Sequence, residues 1–229
     1  MCVSIIQTCL QPGSKDLDSK VLNLELLAYN FHDSLDLKPL FLDMQMRLAT
    51  ATEPNHEAYL ARVNRVAREI AQRQLFSLEG HGKSFRRSVD LEELKKAGKV
   101  GLQLEGEKLT IEGKSCQVGL RVLGLDDKLQ QFLVRLEVKA PEGSDEPDTR
   151  VTFNVGFFDF PIIDNTHLAN GLRCAVTLSA LSKDNADLTT VCFPGEYAGL
   201  KDRPFYDEVV QRIQAAARGE NDGDQGAKR

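Results

Sequence analysis

The chain has no tryptophan, no Cys-x-x-Cys pair and no run approaching the ~20 apolar residues of a membrane span. The first absence leaves phenylalanine as the main aromatic, in a chain only 7% aromatic. The second removes the usual signal of a zinc site or a redox pair. The five cysteines, Cys2, Cys9, Cys116, Cys174 and Cys192, are odd in number and irregular in spacing. They are expected to be free thiols in a reducing compartment, with Cys116, Cys174 and Cys192 acting as small apolar residues in strands. The third absence argues against a membrane span. The first ten residues are apolar but lack a basic leader, so they do not read as a signal peptide. The expected location is therefore cytoplasmic. Excess positive charge is also missing. A net charge of -5 argues against wholesale polyanion binding and leaves room only for a local basic patch.

What the chain does have is length and alternation. A chain of 229 residues is one large domain or two small ones, and it buries roughly 70% of its unfolded surface without needing a metal or disulfide staple. Apolar residues recur at every second position in Leu40-Leu42-Met44-Met46-Leu48, Phe132-Val134-Leu136-Val138 and Leu172-Cys174-Val176-Leu178. A period of two puts one face of a strand on a core and the other in water. That pattern suits antiparallel sheets with one solvated face and disfavours buried parallel sheets.

The fold class expected is α+β: a mostly antiparallel sheet of about eight strands, one long helix and a C-terminal helix. Strands are predicted at 2–10, 21–31, 35–48, 100–104, 109–112, 117–123, 129–139, 150–160, 172–181 and 188–193. A helical reading of 21–48 fits less well. The long helix is predicted over 53–76, where Tyr59, Val63, Val66 and Ile70 share one face and Pro54 suits the first turn. A short helix at 91–97 stops at Gly98, and a terminal helix is expected over 204–218. Residues 1–218 read as a single α+β domain, and a boundary near Gly98 fits equally well. The tail, 219–229, has no apolar anchor beyond one alanine and reads as disordered.

Few residues have the types and spacing that chemistry demands. The segment 60–88 holds seven basic residues, Arg62, Arg65, Arg68, Arg73, Lys83, Arg86 and Arg87, against two acidic ones, a local balance of +5. Such a stretch suits phosphates or an acidic protein surface, with Phe76 and Phe85 available to stack on bases, and it also reads as a solvated helix face. Within it, residues 80–84 (GHGKS) lack the glycine that a phosphate-binding loop needs five residues before Gly82, where Ser77 stands. Nucleotide hydrolysis is thereby excluded, and a small anion nest remains. The segment 150–161 contains four phenylalanines, with Phe158 and Phe160 out of phase with Val151, Phe153, Val155 and Phe157. A β-bulge at Gly156 would switch their face. Phe158 and Phe160 then form an aromatic surface for a partner, or become core if a helix covers them. Asp164 and His167 stand three apart in a turn-rich link, where Asx-type turns account for them without chemistry. Pro194-Gly195 is expected to form a type II turn at the end of a strand, with Glu196 a lone carboxylate in that turn.

Cys2 is the sharpest enzymatic candidate. Met-Cys followed by a β-rich segment resembles the start of the N-terminal nucleophile hydrolases, over about ten residues. The resemblance implies that removing Met1 would leave Cys2 as a nucleophile with its own α-amino group as base.

The sequence favours binding over catalysis: a non-catalytic, intracellular adaptor, assembly or regulatory module, with no cofactor and no metal. The partner expected is another protein or a second copy, with Phe158 and Phe160 and the basic stretch as contact residues. Nucleic-acid or phosphate binding through 60–88 is the first alternative, and an N-terminal-Cys amidohydrolase the second.

Overall fold

A computed structural model describes residues 17–52, 54–140, 143 and 147–199. The predicted strand at 2–10, the terminal helix at 204–218, the tail and Cys2 lie outside the described residues. Four helices and two antiparallel sheets make up the rest, a mixed α+β architecture.

Three helices come first: α1 (Leu17–Phe31), α2 (Lys38–Thr50) and α3 (His56–Glu79). The first two replace strands expected at 21–31 and 35–48. In α1 the buried residues include Val21, Leu24, Leu27 and Ala28, which recur at helical spacing, while Leu22 and Leu26 are 44% and 46% exposed. In α2 the helix buries Phe41, Met44 and Leu48, leaves Met46 59% exposed and places its proline in the first turn. Residue type explains the correction. Both tracts are rich in Leu, with two Met added in α2, and have one β-branched residue each, Val21 and Thr50. Unbranched side chains of this kind lose little freedom in a helix. The 24 residues of α3 bury Val63, Val66, Ala67, Ile70, Ala71, Gln74 and Leu78 on one face.

Nine strands follow: β1 (Lys83–Asp90), β2 (Leu102–Gln103), β3 (Glu107–Ile111), β4 (Lys114–Asp126), β5 (Gln131–Lys139), β6 (Thr149–Val155), β7 (Thr166–His167), β8 (Leu172–Leu181) and β9 (Asn185–Pro194). Between β1 and β2 lies α4 (Leu91–Ala97), which the Asp90 carboxylate caps by accepting from the Glu92 and Glu93 N–H groups. One sheet has the order β1-β9-β8-β7; in the other, β2-β4-β5-β6, β3 also pairs with β4. The inner faces of the two sheets share one core that includes Val118, Leu120, Val134, Leu136, Val176 and Leu188. The outer face of the four-stranded sheet presents Ala175, Val191 and Phe193 to Leu78 of α3 and to Ile162 and Ile163.

Two expectations about strand ends change. β6 stops at Val155, and the register shifts fall elsewhere, between Val122 and Gly124 and between Leu178 and Ala180, so Gly156 is no bulge. The proline-glycine turn expected at 194–195 is instead the end of β9 followed by a 3-10 turn, Gly195–Tyr197.

The cysteine expectation is corrected too. Cys174 and Cys192 face one another across β8 and β9 and are joined by a disulfide, while Cys116 is free and buried. Their pairing withdraws the support that free thiols lent to a reducing compartment. Both sulfurs sit in a fully buried sheet interior, where only the fold brings residues 18 apart in sequence into opposition.

The helices form their own core, and residues from beyond β6 complete it. Phe158 and Phe160 leave the sheet and pack on Phe41, with ring centroids 5.3 and 5.4 Å away. They are 4% and 1% exposed. The aromatic pair is therefore core under a helix, and no partner can reach it without unfolding. Phe160→Ala should cost about 3–5 kcal/mol in urea unfolding, while Phe76→Ala, at a side chain 80% exposed, should stay within about 0.5 kcal/mol. Equal costs at the two positions would show that the helical core is not continuous with the link.

Candidate interaction surface and the buried charge cluster

The seven basic residues of 60–88 do not form one surface. Arg62 turns toward α1, where its guanidinium donates to both oxygens of Glu25 at 2.6 and 2.7 Å and to Asp18 at 3.1 Å. These acidic partners hold its pKa above the ordinary arginine value. One turn further on, Tyr29 donates to Glu69 at 2.6 Å and Arg73 stacks over the Tyr29 ring at 5.1 Å. In β1, Arg87 donates to Glu107 at 2.7 Å and to the Glu105 carbonyl, and lies over Phe85. Alternation along β1 sends Arg86 to the face opposite Arg87. Lys83 begins the strand and is exposed.

What remains on α3 is a narrower stripe. Arg65, Arg68, Gln72 and Phe76 recur at spacings of three and four and are all exposed. Arg65 is 3.9 Å from Glu69, with its side chain 64% exposed. Arg68 donates to the Asn64 carbonyl and lies 5.8 Å from the Phe157 ring. Phe76 is 80% exposed, the most exposed of the large apolar side chains described. The sequence placed the arginines in a patch but gave Phe76 only a stacking role. Its signal was an aromatic out of phase with Val63, Val66 and Ile70.

Residues 80–84 are a helix-to-strand turn. A Cβ on Gly82 would collide with the Cys192 carbonyl. The glycine is there because two backbones touch, which explains it without an anion. Asp164 and His167 do not converge: the Asp164 carboxylate accepts from Phe160 N–H at 2.9 Å, and His167 is exposed on β7. Among the described residues no group of three His, Cys, Asp or Glu side chains is placed to hold a metal.

The strongest electrostatic feature is one that the sequence did not reveal. Lys38, at the start of α2, donates to Asp159 Oδ1 at 2.5 Å across 121 residues of sequence. The second Asp159 oxygen accepts from Gly156 N–H at 2.6 Å. Asp164 shares the pocket, and Asp36 adds negative charge nearby. Burial opposes the Lys38 charge, yet Asp159 and Asp164 outweigh it and hold its pKa above the ordinary lysine value. Burial, reinforced by the Asp159 charge, pushes the Asp164 carboxyl up to about 7. One ammonium beside two carboxylates leaves one carboxylate uncompensated; burial pushes the Asp159 carboxyl up as well, so the two carboxylates share the proton. The cluster fastens a link to a helix and holds a proton near neutrality. A separate cleft of about 410 Å³, between α4 and the hairpin turns, has Lys95, Asp127 and Lys183 of mixed sign on its rim.

Comparison with known proteins adds no identity. No known protein family matches the chain, and no curated protein does. A solved cytochrome c heme lyase, CcmF, is matched at a TM-score of 0.19 and 13% identity, over 86% of this chain and 30% of that one. The chain thus spans less than a third of that protein's length. A likeness at this level carries no argument about fold or function.

Asp164 sets a pH test. Folded, it keeps its proton to about pH 7; an unfolded aspartate releases its proton near ~4. Between those values the folded chain binds more protons, so this group's stabilising contribution is complete below about pH 4 and lost as pH rises through about 7. In urea unfolding, Asp164→Asn should therefore improve relative to the native chain between about pH 5 and about pH 8. A difference that stays constant over that range would mean that Asp164 is not the group that titrates.

Proposed function

We propose that this protein is a non-catalytic binding module, an adaptor, assembly or regulatory component, and that its partner is a protein met by the exposed stripe of α3. The observation that carries this reading is Phe76, 80% exposed on a stripe with Arg65 and Arg68. Aromatic and arginine side chains dominate the energetic centres of protein interfaces. A phenylalanine left 80% exposed on a helix gains little packing from the described residues around it. The stripe suits a partner with an apolar pocket rimmed by carboxylates.

Nucleic-acid binding has weaker support. A phosphate-tracking surface needs several unpaired cations in a row. Here Arg62 and Arg87 are held by Glu25 and Glu107, Arg73 lies on Tyr29, and Glu69 and Glu79 interrupt the rest. Catalysis has no assembled set of groups among the described residues to support it.

A photo-crosslinking residue at Gln72, between Arg68 and Phe76, tests the reading in cells. One discrete protein adduct is expected, lost when Arg65→Glu and Arg68→Glu are combined. An adduct destroyed by nuclease, or a purified protein whose absorbance maximum moves toward about 260 nm at low salt and returns in high salt, would put nucleic acid in the partner's place. No adduct at all would remove the stripe as an interface.

A further inference from the structure

The five-stranded sheet ends at β6, and among the described residues no strand lies beyond it. An open edge is a row of unpaired N–H and C=O groups, and proteins usually blunt it with charge or brevity. The other described edges follow that rule. β1 carries Lys83, Arg86, Arg87 and Asp90; β7 has only two residues; β3 has adjacent Glu107 and Lys108. β6 does not. Its seven residues, Thr-Arg-Val-Thr-Phe-Asn-Val, include one charge, four β-branched side chains and one aromatic.

We infer that β6 pairs antiparallel with β6 of a second copy, joining two five-stranded sheets into one. The strand is complementary to itself about Thr152. With a two-fold axis through that residue and normal to the sheet, Val151 of one copy lies opposite Phe153 of the other, and Arg150 lies opposite Asn154. Thr152 meets Thr152, and Thr149 meets Val155. Aromatic with β-branched, and threonine with threonine, are favourable cross-strand pairs, and no like charges meet. Burial agrees with this register. Val151 and Phe153 are only partly buried where they pack on the rim of the sandwich core. Pairing about Thr152 sets them side by side, so that the two cores become continuous. Arg150 and Asn154 are exposed on the opposite, solvated face. The Arg150 side chain is 70% exposed, with Nε 3.2 Å from Glu137. A closed two-fold pairing of this kind covers both edges at once and cannot propagate into a fibre. The inference is independent of the α3 stripe, which lies on another layer of the molecule.

Charge changes at position 154 test the register itself. Sedimentation equilibrium of the full chain should show a concentration-dependent dimer. Asn154→Glu sets a carboxylate opposite Arg150 at both ends of the pairing and should tighten the dimer at least about threefold. Asn154→Arg sets arginine opposite arginine and should loosen it by at least as much. Both variants should keep the native circular dichroism spectrum, since Asn154 is exposed and has no role in the core. A monomer at every concentration overturns the inference. So does a dimer that the two changes shift in the same direction, or leave as it was.

Discussion

The segment 156–165 is a loop that behaves as core, and the contact that makes this permissible is the ion pair between Lys38 and Asp159. Loops normally run over the surface because their backbone groups need water. Here the link dives between the helices and the four-stranded sheet. Its polar groups are satisfied one by one. Gly156 N–H goes to Asp159, Phe160 N–H to Asp164 and Ile162 N–H to Gln74. Asn165 donates to the carbonyls of Pro161 and Ile162 and accepts from Arg173 at 2.9 Å. With those groups paired, Phe158 and Phe160 can fill the helical core and Ile162 and Ile163 can cover the outer sheet face. Without Lys38, Asp159 would be a buried, uncompensated charge, a situation that costs about 3–5 kcal/mol.

This arrangement explains why the two halves of the chain do not behave as separate layers. β1 lies before Gly98 in sequence and pairs with β9 near the far end. The link then brings aromatic residues from the sheet half into a core made by α1, α2 and α3. Gln74 ties the same parts from the helix side: buried on α3, it donates to the His32 carbonyl and accepts from Ile162. A single glutamine thus connects the residue after α1, the last turns of α3 and the link.

The sheet half was largely legible because its strands have β-branched or aromatic residues at the alternating positions and charges between them. β5 reads Gln-Phe-Leu-Val-Arg-Leu-Glu-Val-Lys, and its buried residues are Phe132, Val134, Leu136 and Val138. The same period of two in α2 was misleading. Leu40, Leu42, Met44, Met46 and Leu48 alternate in sequence, but Phe41 between them is apolar as well. A tract apolar at both parities fits either period, and residue type decides it. β1 was missed for the opposite reason: Lys-Ser-Phe-Arg-Arg-Ser-Val-Asp has only two apolar residues, Phe85 and Val89. It becomes a strand because β9 offers it a full ladder. The disulfide was illegible in principle, since spacing alone cannot show that positions 174 and 192 fall opposite one another.

The basic stretch shows where composition stops being informative about a surface. A balance of +5 describes a segment, but potential belongs to the folded neighbourhood. Asp18, Glu25 and Glu107 come from other elements and neutralise Arg62 and Arg87. Aromatic faces take up Arg73 and Arg87 at 5.1 and 4.9 Å, and such contacts hold a guanidinium against the protein. These arginines therefore work largely as mortar between α1, α3 and the sheets. A side chain that has no such partner inside the chain is the better guide to an interface. By that criterion Phe76 says more than the local charge does, because burying an aromatic ring is favourable wherever a pocket exists. This chain provides none for it among the described residues.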